Sequence, residues 1–385
     1  MHQLKLPLII TLALSLSACG MFGKAADEKQ KPATVSSKIS VVWSTDMDQR
    51  LPGSNIGISK PAVVQGGGGE LIVAGAQDRR VRIYDINGSE LHRVALSAAG
   101  ESGALQLANG LVVVGDAEGK LFGIDVNQGR VAWQVELSSS LLSRPVPIGN
   151  DFVIQTENNQ VFRFTSEGVK LWSYSGPQGG LGLQLQPSPV VNRDNVYVAM
   201  KNGDVVALKA ANGSFLWQRQ LLLNSDAAVL SELKVPVATP VVIPAELSGR
   251  NEDMLAVPVF QGELFFLSLL DGSTLMSRAL SLKSSPLHIG KQIFVADEKG
   301  ALSLLDAEGG DTLWKQQLSD GELVGPVLWQ QSLWVADEFG KIYRLNLEGK
   351  LLATVELAGR IDLAPVAVSD GVLVRNNLGT LFKLR

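Results

Sequence analysis

One short pattern recurs about eight times along this chain, and a repeat of fixed length limits the architecture before any single residue does. A clear copy runs Val113-Val114-Gly115-Asp116-Ala117-Glu118-Gly119-Lys120-Leu121-Phe122-Gly123-Ile124-Asp125, then Gly129, then Trp133. It returns as Val295-Ala296-Asp297-Glu298-Lys299-Gly300 with Leu305-Asp306 and Trp314, and again as Val335-Ala336-Asp337-Glu338-Phe339-Gly340 with Leu345-Asn346 and Gly349. A period near 40 residues (~40) means units that stack or close into a circle.

Each copy has the same internal order. A Pro opens it, at Pro61, Pro145, Pro189, Pro240, Pro286, Pro326 and Pro365, while the second copy opens at Gly103-Ala104. A short apolar strand follows, such as Phe152-Val153-Ile154. A turn bearing Gly or Asn comes next, as in Lys201-Asn202-Gly203, where residues must tolerate positive φ. The next strand alternates, as in Lys120-Leu121-Phe122-Gly123-Ile124, so it buries one face. A second Gly turn falls at Gly88, Gly129, Gly168, Gly213, Gly272, Gly309 and Gly349. The last strand carries Trp133, Trp172, Trp217 or Trp314, with Met276 and Ala353 in its place in two copies. Three or four hairpin-linked strands make one blade, and blades around an axis make a β-propeller.

The expected fold class is therefore all-β, an eight-bladed β-propeller, with seven blades as the rival count. The copy opening at Pro365 has no Trp-bearing strand, whereas Ile39-Ser40-Val41-Val42-Trp43-Ser44-Thr45 is an orphan strand of that type. The expectation is that this N-terminal strand completes the last blade and removes its open edge.

The repeat leaves the first residues unexplained. Lys5 followed by the apolar stretch Leu6 to Ser17 reads as an export signal, too short to span a bilayer as a mature helix. Leu16-Ser17-Ala18-Cys19 resembles the bacterial lipobox, which implies acylation of Cys19. Gly20 follows, where an Asp would imply retention in the inner membrane, so outer-membrane sorting with the body in the periplasm is implied. Several acyl chains together anchor stably. The division expected is signal peptide 1–18, lipidated flexible tether 19–38, and propeller 39–385, the tether being polar and aperiodic. Cys19 is the single cysteine of the 385 residues, so no internal disulfide supports the fold.

Chemistry is sparse. Beyond His2 the histidines are His92 and His288, both read as structural or surface residues. Two distant histidines make no metal site. Gly66-Gly67-Gly68-Gly69 lacks the Lys and helix start of a phosphate loop and sits where a hairpin turn belongs. Asp297-Glu298 and Asp337-Glu338 occupy the same place in two repeats, which argues for a turn role. Arg79, Arg80 and Arg82 form the densest basic spot and read as a solvated edge. With a net charge of −4, no nucleic-acid surface is expected. No catalytic residue, metal or cofactor is expected.

Departures from the repeat are where function is sought. The connection Tyr174 to Ser188 is long and rich in Gly, Gln and Leu; Leu222 to Thr239 is the next long connection, and Pro244 to Asp253 reads as a polar hairpin insertion. Leu181, Leu183 and Leu185 either tuck over the propeller mouth or form an apolar patch offered to a partner.

The repeats resemble those of pyrroloquinoline-quinone dehydrogenases, but those enzymes are longer and hold the quinone under a vicinal disulfide, which one cysteine cannot form. The likeness is of scaffold. Lipobox, tether and eight such blades together resemble the BamB family of outer-membrane assembly lipoproteins over nearly the whole mature chain. That resemblance implies a non-enzymatic scaffold that binds the POTRA domains of BamA, with unfolded outer-membrane proteins as a further class of partner. In that family a Leu-x-Leu-Arg segment contacts the partner. The matching positions here are Leu181-Gly182-Leu183-Gln184, so both leucines carry over and Gln184 replaces the Arg. The acidic pair that often precedes the next Thr-Pro is absent from Val235-Pro236-Val237-Ala238-Thr239-Pro240. The alternatives are a quinone-dependent dehydrogenase and an envelope glycan-binding module.

Overall fold

The computed structural model describes residues 38–48, 59–177, 185–221 and 234–385. Among them are eight four-stranded antiparallel sheets. Blade 1 comprises Ala62–Gly66, Gly69–Ala76, Arg80–Asp85 and Glu90–Ala95. Blade 2 covers Leu105–Gln106 through Arg130–Glu136, blade 3 Val146–Ile148 through Lys170–Ser175, and blade 4 Val190–Asn192 through Phe215–Gln220. Blade 5 spans Val241–Ile243 to Thr274–Arg278, blade 6 Leu287–Ile289 to Thr312–Gln317, and blade 7 Leu323–Trp329 to Leu351–Glu356.

Blade 8 is built from both ends of the sequence. Val366–Val368, Gly371–Arg375 and Thr380–Leu384 are joined on the outside by Val41–Asp46. Trp43 faces Lys383 and Thr45 faces Leu381 in this pairing. Ser40 and Arg385 exchange backbone hydrogen bonds of 2.9 and 3.0 Å. The eight-blade count and the N-terminal closing strand both hold.

The opening prolines stand at or near the starts of the innermost strands, which line a central channel. Those strands have a free edge toward the channel, where a residue without an N–H loses no ladder bond. The tight turns use a carboxylate or amide in place of a backbone partner. Asp297 Oδ1 accepts from the N–H groups of Lys299 and Ala301 at 3.0 and 2.8 Å, and Asp337 repeats this with Phe339 and Lys341. The Asp-Glu pairs are turn residues, as their repetition implied. Gly66 to Gly69 form the expected hairpin turn of blade 1.

A feature common to all blades orients the tryptophans. In every blade the pairing of the third and outermost strands carries a bulge beside the Trp position, as between Gly123 and Ile124 opposite Trp133. A bulge re-aims the neighbouring side chain. Here it directs each ring onto the second Gly turn of the next blade. A methyl group added to Gly168 would lie 2.8 Å from Trp133, and Trp133 Nε1 donates to the Ser166 carbonyl at 3.0 Å. Trp172 covers Gly213 and Trp217 covers Gly272 in the same way. Trp43 covers Gly88, so the closing strand docks blade 8 on blade 1 as any other blade docks. His92 fills this position in blade 1, against Gly129.

Three details differ from the sequence reading. The docked glycine of blade 6 is Gly310 at φ +69, beside Met276, and not Gly309; it takes the place in its turn that Gly213 and Gly272 take in blades 4 and 5. The stretch from Pro244 to Asp253 holds a helical turn, Ala245–Ser248, ended by Gly249 at φ +65. Arg82 is buried and bonds Asp78 through both guanidinium nitrogens, at 2.9 and 2.6 Å, so only Arg79 and Arg80 are a solvated edge. Ala353 leaves blade 7 without a docking ring. That bulk sits in the blade core instead, where fully buried Trp334 meets Trp329 edge-on at 5.9 Å.

Candidate interaction site at the channel rim

The two long connections that the repeat does not explain meet at the channel mouth. The first leaves blade 3 at Gly176 and Pro177. Gly176 N–H donates to Asn159 O at 3.0 Å, and Asn159 Nδ2 donates to Pro177 O at 2.8 Å. Asn159 is fully buried at φ +61, a backbone region that Asn tolerates better than most residues. Residues 178–184 lie outside the described residues, so Leu181, Leu183 and Gln184 are not placed. Cys19 likewise lies outside them. The chain is described again from Leu185, and Gln186 Nε2 donates to Thr156 O at 2.6 Å.

The second connection is described from Lys234. Val235 O accepts from Phe260 N–H at 3.0 Å, and Pro236 bridges Val259. Val235, Val237 and Phe260 form a small buried cluster separate from the blade cores, with Leu185 packed against it. Ser188 N–H donates to Thr239 Oγ1 at 3.0 Å. The shoulders of the two connections are thus fastened to each other by one hydrogen bond and one apolar cluster. Of the three leucines, Leu185 tucks against the mouth. Valines also stand where the acidic pair was missing: Val235 and Val237 are buried, so this shoulder serves packing.

The channel mouth has a cavity of about 980 Å³. Its wall is mainly Pro, Val, Ala and Leu, with few charges: Lys60, Glu101, Arg144, Lys283 and Asp362. Lys283 bonds Glu322 at 2.9 Å and approaches Asp362 at 3.6 Å, so these charges offset one another. Lys60 and Arg144 have no carboxylate partner among the described residues. Both residues are exposed to solvent at the open mouth, where the channel wall crowds them. Despite this exposure, partial desolvation by the surrounding wall, and then the Arg144 charge, lowers the Lys60 pKa from its usual 10.5 to about 8. Burial also lowers that of Arg144. Burial raises the Glu101 pKa, opposed by the nearby Gln77 side chain. The sequence reading did not single out this cation pair. The signal lay in the residue before each opening proline: Ser188, Thr239, Ser285, Gly325 and Ala364 are uncharged, whereas Lys60 and Arg144 are basic.

Neither histidine is among the residues lining the channel mouth. His92 is the docking residue of blade 1, and His288 lies on the innermost strand of blade 6, with its pKa lowered by burial. No group of three or more His, Cys, Asp or Glu side chains is arranged to hold a metal ion among the described residues.

Eight four-stranded blades around a central channel define an eight-bladed β-propeller. The chain belongs to the outer membrane protein assembly factor BamB family, whose sequence model matches residues 40–316 and 298–384. It is similar to the outer membrane protein assembly factor BamB of Yersinia pestis, at 25% identity over 97% of this chain and 96% of that protein. The crystal structure of BamB from Moraxella catarrhalis superposes with a TM-score of 0.75 at 19% identity, over 90% of this chain and 99% of that one. A quinohemoprotein alcohol dehydrogenase from Pseudomonas putida HK5 shares the fold, with a TM-score of 0.69 at 12% identity over 90% of this chain and 76% of that one.

Proposed function

We propose that this chain is a non-enzymatic scaffold lipoprotein of the machinery that assembles β-barrel proteins in the outer membrane. Acyl groups on Cys19 hold it to that membrane, and the propeller faces the periplasm. The connection bearing Leu181, Leu183 and Gln184 docks the POTRA domains of BamA, while unfolded outer-membrane proteins are transient clients. The observation that carries this reading is the joining of the two connections through Ser188, Thr239 and the Leu185 cluster. It fixes the C-terminal end of the leucine segment on the ring, and Asn159 holds the other end at Gly176 and Pro177, which lowers the ordering cost of binding. Family membership supports the assembly role.

Interfaces concentrate their energy in a few anchors, and Leu181 and Leu183 are the anchors here. The double change Leu181→Ala, Leu183→Ala lowers BamA capture from detergent-solubilised membranes by about tenfold or more, since an anchor is worth over ~1 kcal/mol. The melting temperature stays unchanged because the blades are untouched. A folded double variant that captures BamA as wild type does would overturn the docking site. Cys19→Ser releases the protein into the soluble periplasmic fraction, whereas retention in the membrane would overturn the anchor.

A further inference from the structure

The rim opposite the channel mouth carries apolar side chains where the chain leaves the ring. Each outermost strand that follows a second Gly turn starts on that rim and ends on the rim of the long connections, as Lys170–Ser175 runs from Gly168 to Gly176. The closing strand keeps this order. Asp46 faces Thr380 at the connection rim, and Ser40 meets Arg385 at the opposite one. Lys38, and with it the chain toward Cys19, therefore departs from the rim opposite the channel mouth. Four exposed apolar residues flank this exit on three consecutive blades: Leu351 in blade 7, at 45%, Val41 and Val42 in blade 8, at 45 and 46%, and Leu91 in blade 1, at 47%. Each lies within the first two residues of its outermost strand, so they share one height. Farther along the same strands the exposed side chains are mainly polar: Ser44, Asp46, Arg93, Thr354 and Glu356. Apolar residues also begin the outermost strands of blades 3, 4 and 6, at Leu171, Phe215 and Leu313. Two features set the arc of blades 7, 8 and 1 apart. The chain leaves from it, and its exposed charges lean basic. Lys38, Lys350 and Arg385 are exposed beside it, with Glu348. Asp370 is already bonded by Lys383 and Arg385, at 2.5 and 2.8 Å, and Glu90 pairs with Arg93.

We propose that this arc rests on the lipid surface of the membrane that holds the anchor, a second and weaker contact beside the acyl groups; the inference rests on the acylation of Cys19. Apolar side chains at one height enter the headgroup region together, and cations beside them meet anionic phosphates. The chain itself selects the partner. Anchoring at Cys19 draws the rim from which Lys38 departs toward the bilayer before any other part of the ring. The tether also makes the contact intramolecular in effect, so a surface too weak to bind alone is occupied once the acyl groups are in place. A chain without acyl groups still leaves the membrane on fractionation. The consequence is orientation. With this rim on the lipid, the channel mouth and the connection that bears Leu181, Leu183 and Gln184 look away from the membrane.

The test uses the acylated chain in vesicles of phosphatidylethanolamine and phosphatidylglycerol. Cys19 is the single cysteine and is blocked by acylation, so Val42→Cys and Phe339→Cys each accept one fluorophore at a known place. Phe339, 67% exposed in a turn of the connection rim, is the control. Spin-labelled lipid quenches the label at position 42 several-fold more than the label at 339. Equal quenching at the two positions overturns the arc. The anchor is judged separately, by whether the wild-type chain floats with the vesicles and carries acyl groups. A second arm uses the Cys19→Ser chain, which binds the same vesicles weakly at low salt. Val42→Ser, Leu91→Ser and Leu351→Ser together lower that binding by about tenfold or more, because each removes apolar area that lipid would cover. All three side chains are exposed, so the melting temperature holds. Unchanged vesicle binding by the triple variant overturns the proposal. If the triple change instead abolishes a dimer that forms without lipid, the arc joins two copies of the chain and the lipid assignment is overturned. Equal binding to phosphatidylcholine vesicles overturns the part given to the cations.

Discussion

Two charged pairs lie within the ring, and they are built on opposite rules. Asp48 and Arg375 sit where blade 8 meets blade 1, at 2.7 Å, with side chains 0% and 1% exposed. Their remaining bonds are made except at Arg375 Nε, which has no partner among the described residues. Arg375 Nη1 donates to Ser59 O and Gly75 O at 2.7 and 3.0 Å, and Gln77 N–H donates to Asp48 Oδ1 at 2.8 Å. Lys60 and Arg144 lie at the rim a short way along the chain, carry like charges and lack an acid. The first pair is complete without a ligand and ties the closing strand to its neighbours. The second is exposed at the open mouth, where water solvates its charges. Burial demands a partner for a charge, and exposure does not.

The largest effect that tests this contrast comes from Asp48→Ala. It strands the Arg375 guanidinium in a dry seam, and breaking a buried pair by removing one partner costs roughly 3–5 kcal/mol. Urea unfolding measures it. A cost below about 1 kcal/mol would mean that water reaches Arg375 and that the seam is not closed by this pair.

Next comes the ring that shares the seam. Trp43→Ala and Trp133→Ala remove the same docking contact, one at the closure and one between blades 2 and 3. Both rings are only partly buried, so each change costs about 3 kcal/mol, the low end for a Trp truncation. Comparable losses are expected in urea titrations of the two variants. A loss at Trp43 much smaller than at Trp133 would show that Asp48 and Arg375 close the ring without the docking ring.

The smallest effect belongs to the unpaired side. The Lys60 pKa is about 8 in the fold against 10.5 ordinarily, so the unfolded chain binds more protons between these values and stability rises with pH across that window. The destabilising charge is fully present below pH 8. Lys60→Gln removes it, so at neutral pH the variant melts higher than wild type by about 1 °C. The gain fades as pH rises through 8 toward 10.5. A variant that melts lower than wild type at neutral pH would mean that Lys60 is paired after all.

The sequence by itself determined the architecture. Alternating strands, positive-φ turn residues and a Trp position every blade are local signals, so eight copies state the fold eight times. The orphan strand around Trp43 told how the circle closes, because a missing piece at one end matched a spare piece at the other. Even His92 could be placed, by its position in the copy. The tertiary structure alone decided which copies face which across the ring. Asp48 and Arg375 are 327 residues apart, and no periodicity pairs a residue after the closing strand with one before a turn of blade 8. Arg144 reaches over Gly103 toward Lys60 only because blade 2 stands between blades 1 and 3 and carries no side chain there. The tucking of Leu185 was equally hidden, since its partners Val235, Val237 and Phe260 come from another connection and another blade. A repeat fixes what each unit is through short-range patterning, whereas contacts between units depend on the shape of the closed ring.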